Sequence, residues 1–191
     1  GRRVPYFKQK PTQAKLKGVN RSLRKGEVMM NVEKRLGAAY GSNLNLGQMA
    51  MRCPTAKIYG KGMLKGYRLL FKGQMENAYC TIEKKPGGKV PVVVWELEPE
   101  DEKALDFYEG YPRFYEKEDV KVSLEDGTII TAMVYIMTDK ILDRIHLNLP
   151  SRSYLETVKE GYRAAGFDEA FIEDALAISE KAIKKYPPSF L

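Results

Sequence analysis

The spacing of apolar positions changes along this chain, and each change marks a boundary. Residues 36–40 read as a first strand running into a Gly-Ser-Asn turn; Leu46, Met49 and Met51 then follow at helical spacing until Cys53-Pro54 ends the segment. Residues 56–59 and 64–71 are β-leaning runs punctuated by Gly60, Gly62, Gly66 and Gly73. Two further strands, 78–83 and 90–97, are joined through the turn signal Pro86-Gly87-Gly88. In the second of them Val92-Val93-Val94-Trp95 is nearly continuous apolar, the pattern of a central strand covered on both faces. Residues 99–108 switch to helical spacing, with Pro99, Glu100, Asp101 and Glu102 suited to a first turn and Gly110 placed to end the helix. Strands at 114–124 and 128–137 flank Glu125-Asp126-Gly127, an Asp-Gly hairpin signature. Two helices close the chain. Residues 151–165 carry Tyr154, Val158 and Tyr162 and stop at Gly166; residues 168–185 carry Phe171, Ala175, Ile178 and Ile183, with Lys181, Lys184 and Lys185 toward the C-terminal end. These helices are expected to cover a sheet edge and a pocket wall, in an α/β (α+β) layout of about six strands.

Composition alters this picture at one place. The net charge of +7 suggests a nucleic-acid binder until it is divided along the chain: residues 1–26 hold nine of the 32 basic side chains and none of the 25 acidic ones, so the rest, 23 against 25, is near neutral. Residues 1–30, with Pro5 and Pro11 and no sustained periodicity, are expected to be a basic flexible arm or linker ahead of a single domain at 31–191. A near-neutral domain offers no broad footprint for DNA or RNA, and no nucleic-acid partner is expected. No apolar run approaches the roughly 18 residues of a membrane span, and no charged-then-apolar segment opens the chain, so no membrane partner and a cytoplasmic location are expected. Cys53 and Cys80 are the only cysteines, expected as buried free thiols in a reducing compartment.

Two stretches carry candidate chemistry. In the first, Ala38 to Asn45, Gly41 tolerates unusual backbone angles and lets a ligand approach the main chain, Asn45 is suited to cap the following helix, and the turn leaves backbone N–H groups aimed at one point. A carboxylate, a phosphate or an oxyanion would each suit such a turn, and so would no ligand at all. In the second, Glu109 stands at a helix C-terminus, where the dipole disfavours a carboxylate; with partial burial its pKa is expected to rise toward the range useful for proton transfer. The one histidine, His146, follows Asp143-Arg144-Ile145 in what reads as a loop, with no thiol or carboxylate at ligand spacing, so it receives no role. Ser42 lacks the Gly-x-Ser-x-Gly elbow, and neither a phosphate loop nor a dinucleotide fingerprint is present. No metal and no cofactor are expected.

Tyr40-Gly41-Ser42-Asn43-Leu44, the segment Leu105-Asp106-Phe107-Tyr108-Glu109-Gly110, and Tyr135-Ile136-Met137-Thr138 occur in the order and at the spacing of three motifs of the γ-glutamylcyclotransferase (AIG2-like) family, which this chain resembles over roughly residues 35–185. The resemblance implies a mixed, strongly curved sheet or small β-barrel flanked by helices. It implies an enzyme that cyclises a γ-glutamyl amine or γ-glutamyl amino acid to 5-oxoproline, a step of glutathione metabolism, and releases the free amine. It places Glu109 as general acid/base, the Tyr40, Gly41, Ser42, Asn43 and Leu44 loop on the substrate's glutamyl end, and Tyr115 and Tyr135 in the pocket wall. Among γ-glutamyl amino acids, γ-glutamyl-ε-lysine and glutathione, the Tyr-Gly-Ser-Asn form of the loop resembles the first group's enzymes more than the glutathione-specific branch. Arg113 suits either a substrate carboxylate or a place in solvent. Such a reaction suits the residues present: amine and carbonyl share one molecule, so holding the reactive fold supplies proximity, and one glutamate can take and return the proton. A non-catalytic small-molecule-binding or regulatory member of the fold is the alternative. Monomer and homodimer both stand open.

Overall fold

A ring of strands holds the molecule together. The computed structural model describes residues 34–74, 77–138 and 146–185; the basic segment 1–30 and Asp143-Arg144-Ile145 lie outside the described residues. The elements in chain order are β1 (Arg35–Ala39), a 3-10 turn (Ser42–Leu44), α1 (Leu46–Arg52), β2 (Lys57–Gln74), β3 (Asn77–Leu97), α2 (Pro99–Glu109), β4 (Tyr115–Leu124), β5 (Ile129–Met137), β6 (His146–Leu147), α3 (Arg152–Ala165) and α4 (Ala170–Lys185). The sheet order β3-β1-β5-β4-β2 closes because β2 also pairs with β3, giving a five-stranded barrel, and β6 adds to the outer side of β2. β1 runs parallel to β5 and antiparallel to β3, so the sheet is mixed. The small curved barrel with flanking helices is thus present.

The strands are longer than the apolar runs suggested. Residues 56–59 and 64–71 belong to one strand, β2, and residues 78–83 and 90–97 to another, β3. Pro86-Gly87-Gly88 does not reverse the chain. The pairing steps from Lys65↔Lys89 to Tyr67↔Lys84, so residues 85–88 form an excursion opposite Gly66 and the ribbon continues beyond it. Gly66 and Gly87 sit at φ +82° and +73°, where a side chain would be strained; turn chemistry here makes a bulge. The Asp-Gly signature does make a hairpin: Gly127 has φ +87°, and the Leu124 N–H donates to the Thr128 carbonyl at 2.8 Å.

The core follows the apolar runs. Val92, Val93, Val94 and Trp95 are all buried, between β1 on one side and β2 on the other. α3 buries Val158 and Tyr162. α4 buries Ile172, Ala175 and Ser179, whereas the apolar spacing pointed to Phe171, Ala175, Ile178 and Ile183; the small Ser179 lets the helix sit close to β2 and donates its hydroxyl to the Phe71 carbonyl at 3.4 Å. His146 lies in a strand, paired opposite Gly73, where a loop was expected. Cys53 and Cys80 are free and buried. No helix among the described residues is long and apolar enough to cross a membrane.

Candidate active site

The chain leaves the barrel at the end of β1 and tightens at once. Tyr40 is buried and its hydroxyl donates to the Tyr135 carbonyl at 2.6 Å, which ties the start of the turn to β5. Gly41 has φ −120°, so its need for glycine comes from space: a Cβ there would lie 2.9 Å from the Cys80 Cβ. The N–H groups of Leu44 and Asn45 close the 3-10 turn on the carbonyls of Gly41 and Ser42 at 3.0 Å each, and the indole N–H of Trp95 holds the Asn43 carbonyl at 3.1 Å. Among the described residues the N–H groups of Gly41, Ser42 and Asn43 make no hydrogen bond. Asn45 caps α1 by accepting from the Gln48 N–H at 3.1 Å. α1 spans only seven residues, so the anion-binding potential of this loop rests on the three N–H groups rather than on a helix dipole.

α2 delivers the acid. Its start is fixed by Asp101, which is 2% exposed and accepts from the Glu98 N–H at 3.0 Å and from the Thr55 hydroxyl at 2.8 Å. Its end is fixed by Gly110 in the left-handed conformation, φ +63°, leaving Glu109 as the last helical residue. The Glu109 Oε1 accepts from the Asn43 Nδ2 at 2.8 Å. Burial pushes the Glu109 carboxyl up from its ordinary 4.5, while the Asn43 hydrogen bond and the nearby Arg52 cation hold it back, leaving it at about 7. It therefore exists in both protonation states near neutral pH.

A cleft collects these groups. It is lined by residues 38–43 of the β1 end and its turn, by Glu109, by Cys80 of β3, and by Tyr115, Tyr135 and Tyr154. Each tyrosine is held by a hydroxyl contact: Tyr115 donates to the Cys80 carbonyl at 2.8 Å, Tyr135 donates to the Asp106 Oδ1 at 2.6 Å, and Tyr154 accepts from the Cys80 N–H at 3.1 Å. Asp106 also pairs with Lys117 at 2.7 Å, so the aspartate of the α2 segment anchors the helix to β4 and β5. Burial raises the pKa of all three hydroxyls and of the Cys80 thiol, the latter to about 12. Glu109 is then the group in this wall that changes charge near neutrality. Among the described residues no three His, Cys, Asp or Glu side chains converge as metal ligands do.

A family model described as gamma-glutamyl cyclotransferase, AIG2-like, matches residues 38–156, a span that holds the turn, Glu109 and every tyrosine of the cleft. The chain belongs to this γ-glutamyl cyclotransferase family. The gamma-glutamylcyclotransferase of Mus musculus is 29% identical over 154 residues, covering 76% of this chain and 79% of the relative. That of Homo sapiens is 29% identical over 148 residues, covering 73% and 76%. A solved structure described as gamma-glutamyl cyclotransferase superposes with a TM-score of 0.67 at 26% identity, covering 80% of this chain and 99% of that one. A Homo sapiens protein described as uncharacterized superposes at 0.65 with 28% identity, covering 76% and 88%.

In this γ-glutamyl cyclotransferase-family chain, the residues singled out in the sequence separate into two groups. Tyr40, Gly41, Ser42, Asn43, Glu109, Tyr115 and Tyr135 meet in the cleft. Leu44 does not: its side chain is 1% exposed in the core and its N–H is bonded within the turn. Arg113 is exposed and outside the cleft lining. The guanidinium beside the turn belongs instead to Arg52, at the end of α1. Arg52, Cys80 and Tyr154 carried no signal that sequence reading would single out. Arg52 resembles any basic residue in the last turn of a helix, and the other two reach the cleft only through contacts between distant segments.

Proposed function

We propose that this chain cyclises a γ-glutamyl amine or γ-glutamyl amino acid to 5-oxoproline and releases the free amine, with Glu109 as the acid/base. One observation carries the reading: a buried carboxyl poised at about 7 is hydrogen-bonded to a turn that lines the same cleft and whose Gly41, Ser42 and Asn43 N–H groups have no partner among the described residues. The substrate's α-amine nitrogen attacks its own γ-carbonyl carbon, and the new C–N bond closes a five-membered ring. Glu109 takes the proton that the attacking nitrogen loses. The oxygen that becomes negative faces the N–H groups of Gly41, Ser42 and Asn43, donors already in place before the charge develops. The bond to the leaving nitrogen then breaks, and Glu109 returns the proton to it. Tyr115 and Tyr135, uncharged and held through their hydroxyls, shape the wall that keeps the glutamyl chain folded on itself. The names of the relatives support the reaction class, and the turn's sequence favours γ-glutamyl amino acids among its substrates.

The test is 5-oxoproline release from γ-glutamyl-alanine, γ-glutamyl-ε-lysine and glutathione by the wild type and Glu109→Gln. The wild type is expected to form product, with γ-glutamyl-alanine the best of the three. Glu109→Gln, which keeps the acceptor for Asn43 but cannot take a proton, is expected to lose at least about 100-fold in kcat. A folded wild type that makes no product from any of the three would sink the proposal in favour of a non-catalytic binding member of the fold.

A further inference from the structure

Among the described residues Arg52 makes no ion pair with a carboxylate, yet its guanidinium is engaged on every side. One terminal nitrogen donates to the Asn43 Oδ1 at 2.7 Å and lies 3.4 Å from the Ser42 Oγ, and the other donates to the Gln48 Oε1 at 2.6 Å. The face of the group lies 3.5 Å from the centre of the Tyr108 ring, and the Tyr108 hydroxyl is 3.3 Å from the Ser42 Oγ. A planar fork fixed in this way has one orientation.

That orientation decides how Asn43 lies. A carboxamide has one accepting end and one donating end. With its oxygen on Arg52, its Nδ2 is directed at the Glu109 Oε1, 2.8 Å away. The flipped amide would set its NH2 group against the guanidinium and its oxygen against the carboxylate, two repulsive contacts in place of two hydrogen bonds. We propose that Arg52 is a positioning residue of this site: it acts on Glu109 through the Asn43 carboxamide, locking the amide so that its N–H is presented to the Glu109 carboxylate. The inference rests on Glu109 being the acid/base and adds how its proton affinity is set.

The other ionisable groups facing Glu109 are Tyr40 at the end of β1, Cys80 of β3, Tyr115 of β4 and Tyr135 of β5, and burial pushes all four up, so they stay uncharged through the neutral range. Asp106 on the same helix is paired with Lys117. Tyr154 of α3, also pushed up by burial, meets Cys80. The donated N–H and the Arg52 cation are therefore what favour the charged form of Glu109 against its burial. Without them Glu109 holds its proton to higher pH and is less available as a base at neutrality.

The experiment compares wild type, Arg52→Gln, Arg52→Lys, Asn43→Leu and the Arg52→Gln/Asn43→Leu double variant, each first shown folded by circular dichroism. Two readouts are taken: the pH dependence of kcat/KM with γ-glutamyl-alanine, and the titration of the Glu109 carboxyl by carbon NMR of the free protein. In Arg52→Gln the midpoint is expected to move up by about 0.5 to 1 pH unit, with activity down about 3- to 10-fold below neutrality, recovery above it, and KM changed less than about two-fold. Arg52→Lys should fall between, because the charge remains and the fork is lost. Asn43→Leu should shift the midpoint in the same direction, and the double variant should move it by less than the sum of the two single shifts, since Arg52 acts partly through the Asn43 amide and partly through its charge. A uniform loss across pH with an unmoved midpoint, a loss confined to KM, or shifts that add in the double variant would each overturn the proposal. NMR separates this inference from the reaction it rests on. A wild type without product whose Glu109 titration still moves in Arg52→Gln would end the enzymatic reading and keep the relay, and product formation with an unmoved titration would do the reverse.

Discussion

Glu109 is held between opposing influences. Burial disfavours its charge, as does its place at a helix C-terminus; the Asn43 N–H and the Arg52 cation favour it, and the balance lies at about 7. Because the attacking amine needs a carboxylate to receive its proton, kcat/KM is expected to rise with pH and be half-complete near 7. A measured pH profile checks this, and a midpoint near 4.5, the ordinary glutamate value, would count against it. The same balance acts on stability with the opposite sense. The unfolded chain releases this proton near 4.5 and the fold near 7, so the contribution is fully present below 4.5 and is lost as the pH rises through 7. Glu109→Gln has no proton to lose. It is expected to exceed wild type in stability by about 3 kcal/mol at about pH 8 and to match it at about pH 4, as urea unfolding at the two pH values would show.

At the scale of elements, the site depends on how closely α3 approaches the turn after β1. Gly161 in α3 has room for no side chain: a Cβ would lie 2.7 Å from the Leu44 Cβ and 2.9 Å from the Asn45 backbone nitrogen. Gly161→Ala gains about 1 kcal/mol in helix propensity and loses about 1–3 kcal/mol to overpacking, so the net is a loss of about 0–2 kcal/mol. The contact is with backbone, which cannot swing aside as a side-chain end can, and the turn must move. Product formation is therefore expected to fall at least about 10-fold while the melting temperature falls by no more than about 8 °C. Retained activity would show that the turn's position tolerates the shift. The turn was legible in the sequence because its signals are local: Gly41 and Asn45 lie within it, and Pro99 and Gly110 bracket α2. The partner that fixes it, α3, lies over a hundred residues along the chain, and nothing within the turn names it.

For the whole molecule the decisive feature is closure of the sheet. β2 meets β4 where Gly62 pairs with Leu124 and Met63 with Ser123, so close that a Cβ on Gly62 would lie 2.6 Å from the Ser123 carbonyl oxygen. Gly62→Ala is expected to lower stability by about 2–3 kcal/mol, read as a lower urea midpoint at unchanged slope. The cleft draws on Tyr115 at the other end of β4 and on no residue of β2, so kcat of the folded variant is expected to stay within about two-fold of wild type. A large loss of kcat would show that the seam and the cleft are coupled. Closure was not readable from Gly62 alone, since a glycine in a strand pattern is equally consistent with a bulge, a bend or a close approach. The excursion at Pro86-Gly87-Gly88 was misread for a related reason: a local turn signal does not say whether the strand resumes its partner afterwards.

The sequence by itself determined the strands and helices whose signals are local, the near-neutral charge beyond residue 26, and the place of Glu109 at a helix end, because caps, turn residues and apolar spacing act over a few positions; the burial that raises the proton affinity of Glu109 came from the tertiary structure. Tertiary structure alone decided which arginine serves the site. Arg113, near Glu109 in sequence, lies at the surface, while Arg52, 57 positions away, reaches Asn43 nine residues before it and stacks on Tyr108 of α2, and Asn43 in turn meets Glu109. It also decided that Leu44 belongs to the core and that Cys80 and Tyr154 complete the cleft, since these placements follow from contacts between segments that no local pattern connects.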